Sequence, residues 1–381
     1  MRIYMDNAAT TPLDDRVVDR MTEVMRNYFG NPSSIHDDGR KGRTIVENAR
    51  KNVAGLLDVA PGEIFFTSGG TEADNMILSR AVRDQNIKHI ITSPIEHHAV
   101  LHTAQKLEKE EGVALSYVRI KEDGHVDLDH LEEIMKTNAS GRMLVSLMHA
   151  NNEVGNLTDL SRVGELCRQY DALFHSDTVQ TVGHLPLKLK EWGVHFMAAS
   201  AHKFHGPKGT GFAYIDNEVQ LRPFLYGGAQ ERNMRGGTEN IYGIAGCEKA
   251  LELAMENMEE DRQRIDEIKS YFIEKIKDYF PNAQFNGDPE GSSLYTILNA
   301  HFPGTDVGDM FLFNLDISGI SVSGGSACSS GSNTGSHVLQ EIYGDQRNDG
   351  ASVRFSFGRF NTKEEVDYTV EQIDQMIKQE A

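Results

Sequence analysis

From residue 63 onward the chain alternates short apolar runs with helical patterns, and this alternation constrains the fold more than any other feature. Apolar runs at 63–67, 87–92, 114–119, 142–148 and 172–176 read as strands, and the segments 71–84, 97–110, 128–136 and 160–170 carry helical spacing. Parallel strands need a crossover between them, and a sheet built this way is covered on both faces. A strand near 195–199 and a β pair around 211–215 extend the sheet. A long helical pattern over 241–279, rich in Glu and Lys, bridges to a second unit. There, strands at 295–299, 320–322 and 352–356 mix with helices, which is an α+β pattern.

The 381 residues suffice for one large and one smaller domain. A net charge of −19 argues against direct contact with nucleic acid or an anionic membrane. No apolar run approaches the ~20 residues that span a bilayer. The start carries acidic Asp6 and no apolar stretch, so it does not read as a signal peptide. Three cysteines, far apart, fit a cytoplasmic setting without a disulfide framework, and none has zinc-type spacing, so no metal site is expected.

Cys167 and Cys247 sit on apolar helical stripes and read as core. Cys328 does not. It lies in Ser323–Ser336, where ten of fourteen residues are Gly or Ser, a composition that favours a mobile surface loop. An exposed thiol on such a tether can react and travel.

Five further constellations carry chemistry. Lys203 follows an apolar run among small residues (Ser200-Ala201-His202-Lys203), where desolvation lets an amine form a Schiff base with an aldehyde cofactor; a solvated lysine in a surface turn is the plain alternative. Asp177, at the end of a predicted parallel strand, is placed either to pair with a cationic ligand or to cap a helix. Gly69-Gly70-Thr71 open a helix after a strand, an anion site suited to phosphate, although glycine-rich helix starts are frequent. His97, beside Glu96 and His98, is able to stack on an aromatic ring or to be a solvated loop histidine. Arg354 interrupts an apolar alternating strand, so it either clamps a carboxylate or forms an internal ion pair.

In this order the set resembles the cysteine desulfurases of the NifS/IscS branch, within the class V aminotransferases, which are fold-type I pyridoxal-phosphate enzymes. The resemblance runs nearly end to end, through Met5–Pro12, Phe29–Ser34, His149–Gly155, Met234–Asn240, the Cys328 loop and the Arg354 strand. The generous spacing between Cys328 and Arg354 favours this branch over the one with a shorter, stiffer cysteine segment.

The resemblance implies an α/β fold: a large domain, residues 13–257, with a mostly parallel seven-stranded sheet covered by helices, and a small α+β domain from 1–12 and 258–381. It implies pyridoxal 5'-phosphate on Lys203, with Asp177 on the pyridine nitrogen and Gln180 and Asn152 on ring substituents. His97 would stack on the ring. Gly70, Thr71, Ser200 and His202 would cup the phosphate, with Thr238 supplied by the other subunit of a homodimer. Asn31 and Arg354 would hold the carboxylate of L-cysteine. Lys203 would move the α-proton, and Cys328 would take the sulfur as a persulfide and pass it to an acceptor protein, such as an iron–sulfur scaffold. A selenocysteine lyase or an aminotransferase is the alternative; the second needs no thiol on a loop. Three positions depart from the pattern. Ala201 stands where Gly is commoner, His205 where an aromatic is usual, and His98 at a variable place.

Overall fold

The computed structural model describes residues 2–137, 141–305, 309–325 and 335–380. The chain opens with β1 (Ile3–Tyr4), α1 (Asp15–Asn27) and α2 (Asp37–Leu56). It then runs through β2 (Ile64–Thr67), α3 (Gly70–Asp84), β3 (Ile87–Thr92), α4 (His98–Glu111), β4 (Ala114–Tyr117) and α5 (Leu128–Thr137). Next come β5 (Arg142–Ser146), α6 (Leu160–Gln169), β6 (Leu173–Asp177), α7 (Leu189–Trp192), β7 (Phe196–Ser200) and β8 (Gly211–Ile215). Two long helices follow, α8 (Ile241–Glu256) and α9 (Met258–Tyr279). The remainder holds β9 (Gln284–Asn286), β10 (Ile297–Pro303), α10 (Asp309–Ile317), β11 (Ile320–Ser321), α11 (His337–Tyr343), β12 (Gly350–Ser356) and α12 (Lys363–Glu380).

The seven-stranded sheet has the order β2-β8-β7-β6-β5-β3-β4. Only β8 runs antiparallel to its neighbours, β2 and β7, so the sheet is mostly parallel, as expected. Its central strands β6, β7 and β8 are buried on both faces and carry mostly apolar side chains, whereas the edge strand β4 is exposed or half-buried. Ile91, Val145, Phe174 and Met197 face one core, with residues of α2, α5, α6 and α8. Their neighbours Ile90, Leu144, Leu173 and Phe196 face the other, under α3 and α4. This is the two-residue alternation of a strand put to use on both sides.

A separate core forms around the antiparallel sheet β12-β10-β9 and gathers Ile3, Met5, Phe272, Phe302, Phe355 and Val370. Here β1 pairs parallel with β11, a register the sequence did not announce because each strand is only two residues long. The pattern over 241–279 is two helices rather than one. Asn257 ends α8, its side-chain amide and backbone N–H both bonded to the Leu253 carbonyl. The break lets α8 bury Ile244, Leu251 and Ala254 in the first core while α9 turns Ile268, Phe272 and Ile276 into the second. Cys167 and Cys247 are buried core residues, and burial pushes both thiols up.

Candidate active site

In an open α/β sheet, ligands bind beyond the carboxyl ends of the strands. The ends of β2, β3, β5, β6 and β7 here surround a cavity of about 190 Å³. Its walls include Ala8, Ala9, Gly70, Thr71, Asp74, His97, Asn152, Asp177, Gln180, Ser200, His202, Lys203 and Arg354. Ten sequence-predicted site residues thus meet in one place, from segments far apart in the chain.

Lys203 lies in the single 3-10 turn that follows β7. Its Nζ donates to the Ala8 carbonyl and, at 3.0 Å, to that of Ala9. The N-terminal segment therefore lies across the lysine, and Gln180 Nε2 fastens it by donating to Ala8 O at 3.1 Å. Asp177 closes β6, 6% exposed. Burial pushes its carboxyl up to about 6, against the opposing pull of the Val179 N–H and the Lys203 charge. Among the described residues the carboxylate's only hydrogen bond is that from Val179 N, at 2.9 Å. A carboxylate so placed needs a cation to stay ionised.

At the other side α3 begins. Gly70 has no room for a side chain, since a Cβ there would sit 2.5 Å from Val179 Cγ2. The first N–H groups of α3, with Ser200 and His202, therefore face the cavity without obstruction. His202 Nδ1 contacts Thr10 Oγ1 at 3.2 Å, and burial, then the Lys203 charge, pulls the ring down to about 4. His97 is the N-cap of α4: Nδ1 accepts from Ala99 N at 3.1 Å, so the neutral ring carries its proton on Nε2. Burial, then Lys203, holds it down to about 4. Neither histidine is a solvated loop residue; His98 packs on His102 and His337, with centroids 4.6 and 4.4 Å away.

Arg354 is 1% exposed. Nη2 pairs with Asp6 Oδ1 at 2.9 Å and Nη1 donates to the Asn152 carbonyl at 2.8 Å, while Nε has no partner among the described residues. The arginine thus has the internal ion partner that one reading expected, and it also borders the cavity. Asn31 and Thr238 do not reach the cavity in this chain. Both are exposed, and the loops bearing them meet through Gln230 Nε2 and Ser33 Oγ at 3.1 Å. Cys328 lies outside the described residues. The described residues just before and after its loop, however, are tied beside the cavity. Ser323 Oγ donates to Asp6 Oδ1 at 2.9 Å, Ser336 Oγ donates to Glu153, and His337 contacts the Glu96 carbonyl at 3.1 Å.

The departures have local reasons. His205 takes a left-handed φ of 63° and anchors Pro12 O through Nδ1 at 2.9 Å. Ala201 is fully buried and leaves no space beside Gly206. A polar layer that no sequence pattern signals lies beneath the site. Asp74 and His175 approach to 3.3 Å, His175 contacts Ser146 Oγ at 2.8 Å, and Glu96 accepts from Ser93 and Met148. Burial pushes Glu96 up to about 8 and Asp74 well above the usual carboxylate range, and pulls His175 down to about 3.

The aminotransferase class-V family model matches residues 3–369. A protein of Bacillus subtilis named putative cysteine desulfurase IscS 1 is 42% identical over 380 residues, covering 99% of both chains. The cysteine desulfurase IscS of Dictyoglomus turgidum is 41% identical, over 99% of this chain and 94% of that one. The chain belongs to the class-V aminotransferase family, among its cysteine desulfurases. A solved NifS-like protein superposes with a TM-score of 0.91 at 37% identity, covering 99% of this chain and all of the other. A NifS-like protein from Rickettsia africae gives 0.88 at 30% identity, with the same coverage.

The cofactor of this family is pyridoxal phosphate, and the residues present fit it. The cavity offers a buried, singly hydrogen-bonded carboxylate, an amine and an open helix N-terminus. The cation, aldehyde and phosphate of that one molecule answer all three.

Proposed function

We propose that this chain converts L-cysteine to L-alanine, with Cys328 carrying the sulfur away as a persulfide. The observation that carries the reading is the convergence of Lys203, Asp177, His97 and Arg354 on one cavity, with the described residues flanking the Cys328 loop tied beside it. Asp177 would hold the pyridine nitrogen, Gln180 and Asn152 the ring substituents, and Gly70, Thr71, Ser200 and His202 the phosphate. The bound cofactor supplies an electron sink for charge developing at the substrate Cα.

The chain's residues do the rest. Arg354 holds the substrate carboxylate, and Asn31, which lies outside the cavity in this chain, is carried over as its companion on the family resemblance alone. Lys203 takes the α-proton, and His97 shields the ring face. The Cys328 thiolate then attacks the substrate sulfur: the S–S bond forms as the C–S bond breaks, the bonding electrons pass to Cβ, and protonation there leads to alanine. The persulfide sulfur passes to an acceptor protein, of which an iron–sulfur scaffold is our first choice.

We read 1–12 with 258–381 as the small domain, a division supported by their shared core. A homodimer is supported by the exposed apolar side chains Phe29, Ile35, Leu225 and Tyr226 around the loops that bear Asn31 and Thr238. No helix of the described residues is long and apolar enough to cross a membrane. Cytoplasmic placement rests on the absence of a disulfide pattern among three widely spaced cysteines.

The test is an assay of the cofactor-loaded protein with L-cysteine and a reductant. Alanine and sulfide are expected in equal amounts, and Cys328→Ala keeps the yellow colour but loses both products. Full activity in Cys328→Ala refutes the persulfide route; alanine that appears only with an added 2-oxo acid identifies an aminotransferase.

A further inference from the structure

A second cleft, larger than the cofactor cavity and sharing no residue with it, lies at the edge of the sheet between the 121–129 segment, α6 and α7. Its volume is about 530 Å³, within the range of small-molecule sites. We propose that it binds an alkylguanidinium.

The floor is His149, 7% exposed. Its Nδ1 lies 2.9 Å from Thr181 Oγ1, and that hydroxyl already donates its proton to the Thr178 carbonyl at 3.2 Å. With the hydroxyl proton assigned to the Thr178 carbonyl, the imidazole proton is assigned to Nδ1, and Nε2 offers a bare lone pair. Among the described residues nothing donates to Nε2, and the ring opens on the cleft. Held in a ring that is 7% exposed and lines the cleft, this acceptor is open to a donor from outside the chain.

Trp192 stands over the same floor, its ring 5.6 Å from that of His149 at 71°. Its position is fixed by close backbone packing. A Cβ on Gly164 of α6 would sit 1.6 Å from the Trp192 carbonyl, so only glycine lets the two helices meet. Leu157 and Leu160 add apolar wall. Three carboxylates, Asp123, Asp129 and Asp159, line the cleft against one ammonium, Lys121. Asp123 and Asp159 each spend Oδ1 on a backbone N–H, of His125 and Arg162, and keep an oxygen in hand.

The guest must then satisfy acceptors, carry positive charge and lie against an indole and leucines. A guanidinium on an alkyl stem does all three: it has five donors and no acceptor, and its flat face stacks on aromatic rings. A metal ion is a poorer match, because among the described residues no three His, Cys, Asp or Glu are grouped to ligate one. The guanidinium comes either as a free small molecule or as the arginine side chain of a partner.

Trp192 is the chain's sole tryptophan, so its emission reports this cleft alone. The holoenzyme titrated with agmatine should show a saturable emission change with Kd below about 1 mM. Butylamine should bind at least about fivefold more weakly, and pentanol and valerate should give no saturable change. N-acetylarginine methylamide and agmatine separate the two sources; binding of either supports the site. His149→Leu should weaken agmatine about tenfold, and Asp129→Asn, an exposed change that spares the fold, about threefold. The proposal fails if neither guanidinium gives a saturable change, if valerate binds as agmatine does, or if both variants, folded by their melting curves, bind agmatine like the parent.

Discussion

Arg354 Nη2 lies 2.9 Å from Asp6 Oδ1, and Ser323, at the start of the Cys328 segment, donates to that same oxygen at 2.9 Å. One carboxylate therefore orients both the proposed substrate clamp and the stem of the sulfur-carrying loop. Arg354→Lys keeps the charge but loses the planar fork. It is expected to lower kcat/KM for L-cysteine about 100-fold, mostly through KM. Asp6→Asn removes the charge that aims the guanidinium while sparing its size, and should cost about tenfold. Steady-state alanine formation measures both; an unchanged KM in Arg354→Lys would remove Arg354 from the substrate site.

Glu96 gives the cofactor-free protein a distinctive pH response. Its carboxyl is raised from 4.5 to about 8 by burial, so between these values the folded state keeps a proton that the unfolded state has lost. Stability then falls as pH rises through that window, by up to about 1.4 kcal/mol per pH unit. The buried histidines, pulled below 6.5, act oppositely and cost stability as pH falls below that value. Glu96→Gln keeps an oxygen for Ser93 and Met148 and removes only the titration. The variant's denaturation midpoint should therefore drop less than the parent's between pH 5 and 8. Parallel curves would show that Glu96 does not titrate there.

Several of the cavity's predicted residues were legible because they sit where a strand gives way to a turn or helix: Gly70 and Thr71 after β2, Asp177 at the end of β6, Lys203 after β7; Arg354 stood out instead as a charge inside the apolar strand β12. Position along an α/β pattern carries that information. The layer of Asp74, His175 and Glu96 was not legible, since a buried polar residue inside an apolar element looks like any other until its partner is known. The grip of Ala8 and Ala9 on Lys203 uses backbone carbonyls, which no side-chain pattern reports. In the fold, the sheet followed from alternation, whereas α1 and α2 lie before residue 63, where only the two-residue β1 precedes them and no strand separates them.

The loop bearing Thr238 is held by an ion pair that the sequence also concealed. Arg50 and Glu231 make a two-pronged contact at 2.8 and 2.9 Å, both side chains 3% exposed. Glu231, Arg232 and Asn233 all take left-handed φ values, of 43°, 54° and 67°, a costly run for side-chain-bearing residues. Glu231→Ala leaves Arg50 buried without its charge partner and removes the brace on that run. It should destabilise the fold by about 3–5 kcal/mol in chemical denaturation. If Thr238 contacts cofactor phosphate across a dimer, pyridoxal-phosphate affinity should fall as well, read by equilibrium dialysis.

Ser336 and Glu153 fix the far stem of the Cys328 segment. Ser336 Oγ donates to the buried Glu153 carboxylate and accepts from Leu339 N at 3.0 Å, so one hydroxyl both anchors the stem and caps α11. Ser336→Ala removes anchor and cap together, while Ser336→Asp retains a cap but sets two carboxylates against each other. If the stem positions Cys328 for attack, sulfide release should fall about tenfold in Ser336→Ala and further in Ser336→Asp. Ser336→Thr, which keeps the hydroxyl, should recover most of the rate. Cofactor absorbance should stay unchanged in all three, because Ser336 lies outside the cavity wall. A rate loss in Ser336→Ala that Ser336→Thr does not recover would point to general loosening of α11 rather than to the placement of the thiol.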